Sequence, residues 1–320
     1  MILLSIAIGS VVIPLRTVLQ VLFNSGGGEA GFSTFTTIIW ELRIPRTILM
    51  VLAGAALAGS GCAYQGLFRN PLADPYLIGA ASGAGLGAVL AITVHWPGSI
   101  FGFIVVPLAA FSGAVLTVLI VFGVSRIGKT TPVTTLILAG VAVSSFATAL
   151  TSFLLINASG ELRRALVWLM GGSTLSGWLP VLGAAPYILI GLVTLLSMGH
   201  ALNLLQFGDE QAHQLGLRVS LFRTLIILAA TLATAAAVAF TGIIGFVGLI
   251  VPHVMRNLWG GDYRRLLPLS IIGGASFLLA ADILARILLA PQELPVGIIT
   301  ALAGAPFFLL LLRRSKQQYW

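Results

Sequence analysis

Long apolar runs separated by short polar turns set the pattern of this chain. Ten runs fall at roughly 1–14, 44–66, 76–95, 98–124, 132–156, 180–199, 220–241, 242–258, 266–289 and 295–312. A helix needs about 20 apolar residues to cross a hydrocarbon core about 30 Å thick, and most of these runs have them. Runs of this length predict helices; barrel strands are about ten residues long and alternate in polarity. The expected fold is all-α, a polytopic membrane protein of about ten transmembrane helices forming one domain over 1–320. The first run is short for a span, which points to a start upstream of Met1 or to a short helix packed against others. The run at 242–258 is also short and carries Gly245, Gly248 and Pro252, the composition of an interrupted segment beside a transport route.

One polar stretch breaks the pattern. Residues 203–218 read NLLQFGDEQAHQLGLR, with Asp209, Glu210, Gln211, His213 and Gln214 close together between two spanning runs. The acidic pair suits a helix start and Gly216 a stop. A short surface helix fixed between two spans is a handle that something outside the membrane could grip. By composition alone it is equally a solvated loop helix with no partner.

Composition sharpens this picture. The chain has 320 residues, 58% hydrophobic and 8% charged, against roughly 25% charged in a soluble domain. The net charge of +8 would suggest nucleic acid in a soluble protein. Here the basic residues sit in short turns, where they set topology, and no nucleic-acid partner is expected. Eleven of the 17 Lys and Arg residues fall on the side that carries the handle and both termini, so that side is expected to be cytoplasmic. Met1–Pro14 lacks the basic flank and cleavage site of a signal peptide. The single cysteine, Cys62, excludes an intrachain disulfide and a cysteine-based metal site. Gly79, Gly83 and Gly87 share one helical face, as do Gly54 and Ala58, and such faces let membrane helices approach closely.

Residues 123–130, GVSRIGKT, match the phosphate-binding pattern G-x-x-x-x-G-K-[ST]. That chemistry needs a strand before the loop and a helix after it. Two membrane runs flank this copy, so Arg126 and Lys129 are read as topology markers. No paired carboxylates, metal-ligand cluster or nucleophile–base arrangement stands out, and no enzyme is expected. Asp282 and Arg286 are spaced to pair on one helix face. Without a convincing mid-membrane acid, an ion-coupled carrier is the weaker alternative. Arg43 and Arg46 with Arg286 offer outer-face cations for an acidic partner.

Several blocks together resemble the permease subunits of iron-chelate, haem and cobalamin ABC importers. They are RIPRT at 43–47, LAGAALAGSGCAYQGLFRNPLADPYLIG at 52–79, WLMGG at 168–172, FGDEQAHQLGL at 207–217, GFVGLIVPHVMR at 245–256, LLAADILAR at 278–286 and LPVGIITALAGAPFF at 294–308. The resemblance implies a cobalamin-importer-permease-like fold in a prokaryotic cytoplasmic (inner) membrane. Its implied partners are a second copy of the chain, a cytoplasmic ABC ATPase dimer and an extracytoplasmic substrate-binding protein. It implies that this chain binds no cofactor, ATP and magnesium being used by the partner subunit. The implied cargo is a metal chelate, ferric siderophore first, with haem or cobalamin as alternatives. The resemblance puts ATPase coupling on Gly208, Asp209, Glu210, Gln211, Ala212, His213, Gln214, Leu215, Gly216 and Leu217. It puts binding-protein docking on Arg43, Arg46 and Arg286, and a translocation pathway near Ser144, Ser145, Arg163 and Trp168.

Overall fold

Alanine and glycine do most of the packing in this protein, and the fold follows from where they lie. A computed structural model describes residues 1–9, 11–23, 30–94, 101–126, 132–158, 160–172 and 175–316. All regular structure among them is helical. Short helices α1 (Ile2–Ala7), α2 (Leu15–Phe23) and α3 (Ala30–Thr37) lead through a π-helical turn, Ile38–Arg43, into α4 (Ile44–Leu67). Then come α5 (Ala80–Thr93), α6 (Phe101–Ser125), α7 (Val133–Ile156), α8 (Leu162–Leu169) and α9 (Trp178–Ser197). The chain continues through α10 (Gly199–Leu205), α11 (Asp209–Gln214), α12 (Val219–Thr241), α13 (Val247–Trp259), α14 (Tyr263–Ile287) and α15 (Val296–Lys316).

Helix α4 is the centre of the bundle, with twenty of its 24 residues buried. Its Gly54 lies so close to Gly274 of α14 that a Cβ would meet backbone, and Gly61 stands likewise against Gly248 of α13. Of the expected glycine face, Gly83 and Gly87 lie on α5, whereas Gly79 precedes the helix at φ +87°. Gly83 and Gly87 abut the backbone of α6 at Gly113 and Ala109. In lipid, apolar burial gives helices little reason to associate, so close backbone approach and van der Waals contact hold them together.

The periphery is apolar too. Leu116 and Ile120 on α6, Leu138, Phe146 and Phe153 on α7, and Leu182, Leu189 and Val193 on α9 are exposed. A water-facing surface does not carry contiguous apolar area on this scale, whereas acyl chains accept it. Among the described residues, six helices are long and apolar enough to cross a membrane: Thr34–Leu67, Ile104–Ser125, Val133–Ile156, Trp178–Ser197, Val219–Thr241 and Tyr263–Ile287. Ala80–Thr93 and Val296–Leu310 are shorter apolar helices. The remaining two of the ten expected segments take other forms. The first is the six-residue α1 followed by non-helical chain. The run at 242–258 is broken: Gly242 to Gly245 are not helical, Phe246 sits at φ +69°, and α13 follows. The Tyr76 hydroxyl donates to the Ile244 carbonyl at 2.9 Å and satisfies part of the broken stretch. Irregular backbone at membrane depth needs such partners.

Residues 127–130 of the phosphate-loop match lie outside the described residues. Its flanks are α6 and α7, and no strand precedes it, so the context a nucleotide site needs is missing there.

Candidate functional site

The two ends of the bundle are built differently. One carries the handle. Gly208, at φ +101°, and Gly216, at φ +88°, turn the chain sharply on either side of α11. Both need a left-handed backbone that glycine adopts without strain. Between them Ala212 is buried, while Glu210, Gln211, His213, Gln214 and Leu215 face solvent with Phe207 and Gly216. Leu217 closes against the bundle. The helix expected inside 203–218 is therefore present, with the expected start and stop.

Polar bonds tie this handle to three long helices. Arg223 of α12 donates from Nη2 to both carboxylate oxygens of Asp209, at 2.8 and 2.7 Å. Arg223 is 6% exposed; the Asp209 side chain is 53% exposed. Asn203 donates from Nδ2 to Asp262 at 2.6 Å and accepts from the Tyr263 backbone N–H at 2.9 Å, joining α10 to the start of α14. Asp262 caps α14 by accepting from the Arg264 N–H. The Asn203 amide, then the Arg264 N–H, hold its carboxyl below the usual carboxylate range. Gln206 donates to the Gly66 carbonyl at the end of α4, at 2.9 Å. Sequence reasoning gave Arg223, Asp262 and Gln206 no individual role. No periodicity relates residues 14 apart across a turn, so the Asp209–Arg223 pair left no signal.

At the other end lies a cavity of about 500 Å³ lined by Arg43, Arg46, Arg286, Glu293, Gly171 and Gly172, among others. The three arginines do meet here, but they do not form an open patch. Arg43 is 8% exposed and donates to the carbonyls of Ile6, Ala7 and Val11. Arg286 is 3% exposed; it pairs with Asp282 at 2.9 Å and donates to the Ser5 and Ile8 carbonyls at 3.0 Å. Together they bind carbonyls at the C-terminal end of α1, where cations are favoured. Arg46 remains one-third exposed, bridging buried Asp282 at 2.9 Å and Glu293 at 2.6 Å. The expected i, i+4 pair of Asp282 and Arg286 thus extends into a four-residue network with Arg46 and Glu293.

The pathway candidates scatter. Ser145 is exposed on α7 and donates to its own helix at Val141. Ser144 is half-buried near Gly79. Arg163 is exposed on α8, and Trp168 is buried in the core.

The helices and their apolar rim define an integral membrane protein, and its polar features cluster at the two bundle ends. Residues 1–314 match the FecCD transport family, and the chain belongs to it. It is 47% identical over 280 residues to the cobalamin import system permease protein BtuC of Halobacterium salinarum, covering 88% of this chain and 74% of that protein. It is 42% identical over 286 residues to the hemin transport system permease protein HmuU of Yersinia pestis, covering 88% and 84%. Among solved structures, a metal-chelate-type ABC transporter in an inward-facing conformation is 32% identical, with a TM-score of 0.84 over 98% of this chain and 95% of that one.

Proposed function

We propose that this chain is the membrane-spanning subunit of an ABC importer for a metal chelate. In this reading a binding protein delivers the cargo at the cavity end and a separate ATPase grips the handle. The observation that carries it is α11, held to the bundle on one face and open on the other. Phe207 and Leu215, both more than half exposed beside the acidic turn, are the apolar contacts a soluble partner would cover. Family membership supports the importer class, and the relatives' cobalamin and hemin cargoes support a bulky chelate. Ferric siderophore is the specific cargo proposed, with haem and cobalamin as alternatives. Two copies would frame one route, in an inner membrane, with about ten crossings and both termini cytoplasmic.

Docking is proposed to fall on Arg46, the arginine that solvent reaches, with Arg43 and Arg286 setting the shape and charge beneath it. An acidic group on the binding protein would meet it. Ser144, Ser145 and Arg163 remain proposed contacts of the route, and Trp168 its buried support.

The test is uptake in proteoliposomes containing this chain, a candidate ABC ATPase and a binding protein. The wild type is expected to couple ATP hydrolysis to uptake, and Asp209→Arg/Glu210→Arg to assemble poorly or to uncouple. Uptake driven by an ion gradient without any ATPase, and indifferent to the double substitution, would replace this reading with an ion-coupled carrier.

A further inference from the structure

We propose that Glu293 is an internal competitor for docking: its carboxylate holds the place on Arg46 that an acidic side chain of the binding protein takes on arrival. This rests on the importer reading above and adds to it a residue that sets how tightly the partner is held. Three observations bear on it.

The first is the way Arg46 is divided. Its Nε and Nη2 both reach Oδ1 of Asp282, at 3.0 and 2.9 Å. Its Nη1 lies outside that edge and donates to Oε2 of Glu293 at 2.6 Å. The guanidinium donors form a rigid planar fork, so one edge can stay anchored while the remaining donor changes partner. The inner contact is closed to water, because the Asp282 side chain is wholly buried. The outer one is wet, with the Glu293 side chain 41% exposed. Wet pairs of this kind contribute at most about 1 kcal/mol, so the outer partner is exchanged at little cost.

The second is the freedom of Glu293. It ends an exposed loop, 288–293, between α14 and α15. The next residue pins the chain: the Leu294 N–H donates to the Ala285 carbonyl at 3.0 Å. The base of the loop is thus fixed. Among the described residues the Glu293 carboxylate is held by Arg46 alone. A side chain held at one point leaves by changing rotamer, with no shift of the backbone.

The third is charge. Arg43, Arg46, Arg286 and Glu293 all line the cavity of about 500 Å³. Arg43 is committed to carbonyls near α1, and Arg286 to Asp282 and further carbonyls. With Glu293 in place, three cations face two carboxylates. With Glu293 turned out, they face Asp282 alone. An incoming carboxylate restores the balance; a neutral or basic side chain does not. The cavity therefore selects an acidic partner, and Glu293 is the group that partner must replace. While Glu293 is in, it also weakens the positive field that an acidic surface meets on approach. A competitor of this kind gives up affinity for specificity, since a weakly matched carboxylate gains nothing by the exchange.

The experiment uses this chain assembled with an ABC ATPase. The probe is a substrate-binding protein chosen because it stimulates ATP hydrolysis by that assembly. Its Kd is measured by surface plasmon resonance at about 0.5 M salt, where long-range steering is screened. Glu293→Gln keeps the shape of the side chain and loses its charge, and is expected to bind about threefold tighter than the wild type. Glu293→Ala is expected to do the same. In the Arg46→Ala background, Glu293→Gln is expected to change nothing, because no donor is left to compete for. Binding by Glu293→Gln equal to or weaker than that of the wild type would overturn the competitor and make Glu293 a brace for Arg46. An equal gain with and without Arg46 would also overturn it, reducing Glu293 to a repelling charge. If no substrate-binding protein stimulates hydrolysis by the wild-type assembly, the importer reading falls, and the competitor with it.

Discussion

The two ends of this bundle use the same chemistry, arginine against carboxylate, for different ends. At the cavity end Asp282 is wholly buried between Arg286 and Arg46, and Arg286 also holds the α1 carbonyls. At the handle end the Arg223 guanidinium is buried but its Asp209 partner is half in water. A charge pair closed off on all sides fixes structure, because losing one member strands the other in a low dielectric. A pair with one wet member can part and re-form as the surface helix moves. The contrast teaches which arginines to suspect of function: those with one solvent-facing side, here Arg46 and the wet end of the Arg223 pair. Being charged in a membrane protein is not enough.

The sharpest way to break that comparison is Asp282→Ala. It leaves Arg286 buried without its carboxylate, and a loss of about 3–5 kcal/mol is expected. A thermal midpoint in detergent would show it, and a midpoint close to wild type would mean the network is dispensable. Next is Arg46→Ala, which removes the member that is one-third exposed. Binding of the binding protein is expected to weaken about tenfold, mostly through a slower and less salt-sensitive association rate. An unchanged rate measured by surface plasmon resonance would move docking elsewhere. Third is Asn203→Ala at the handle end, which removes two hydrogen bonds to the start of α14. About 1 kcal/mol of stability is expected to go. A loss as large as that of Asp282→Ala would erase the difference drawn between the ends.

Much of this was legible in the sequence because membrane helices announce themselves by length. All six helices of spanning length fall on expected runs, and the handle's start and stop are carried by Asp209 and Gly216 in local chemistry. The interruption in 242–258 was legible only in part: Gly245 lies in the break at 242–246, whereas Gly248 and Pro252 sit inside α13. The burial of Arg43 was not legible. Its partners are backbone carbonyls of residues 6, 7 and 11, which no side-chain pattern encodes. Glu293 and Arg46 are 247 residues apart, and their meeting depends on α4 and α14 running side by side. The resemblance named three arginines that line one cavity but said nothing of their exposure, and exposure is what separates Arg46 from the other two.

A pH dependence is expected from the turn between α4 and α5, outside both ends' networks. Asp74 accepts from the Tyr76 N–H at 2.8 Å, but burial dominates and pushes its carboxyl up to about 6. The folded protein therefore binds this proton more tightly than the unfolded chain, whose carboxyl titrates near 3.9. Stability rises with pH only where the unfolded state binds more protons; here the opposite holds between about pH 4 and 6. The Asp74 contribution is thus fully present below about pH 4 and is lost as pH climbs through about 6. A midpoint falling by a few degrees over that interval is expected for the wild type, with the fall absent in Asp74→Asn, which cannot ionise. The Asp262 carboxyl, held low by Asn203 and Arg264, has the reverse sign: its contribution is lost only as pH drops below about 4. The handle's attachment to α14 should therefore be unmoved between pH 5 and 7. If Asn203→Ala altered the pH dependence in that interval, the handle and the α4–α5 turn would be one coupled unit, and the two would have to be reasoned about together.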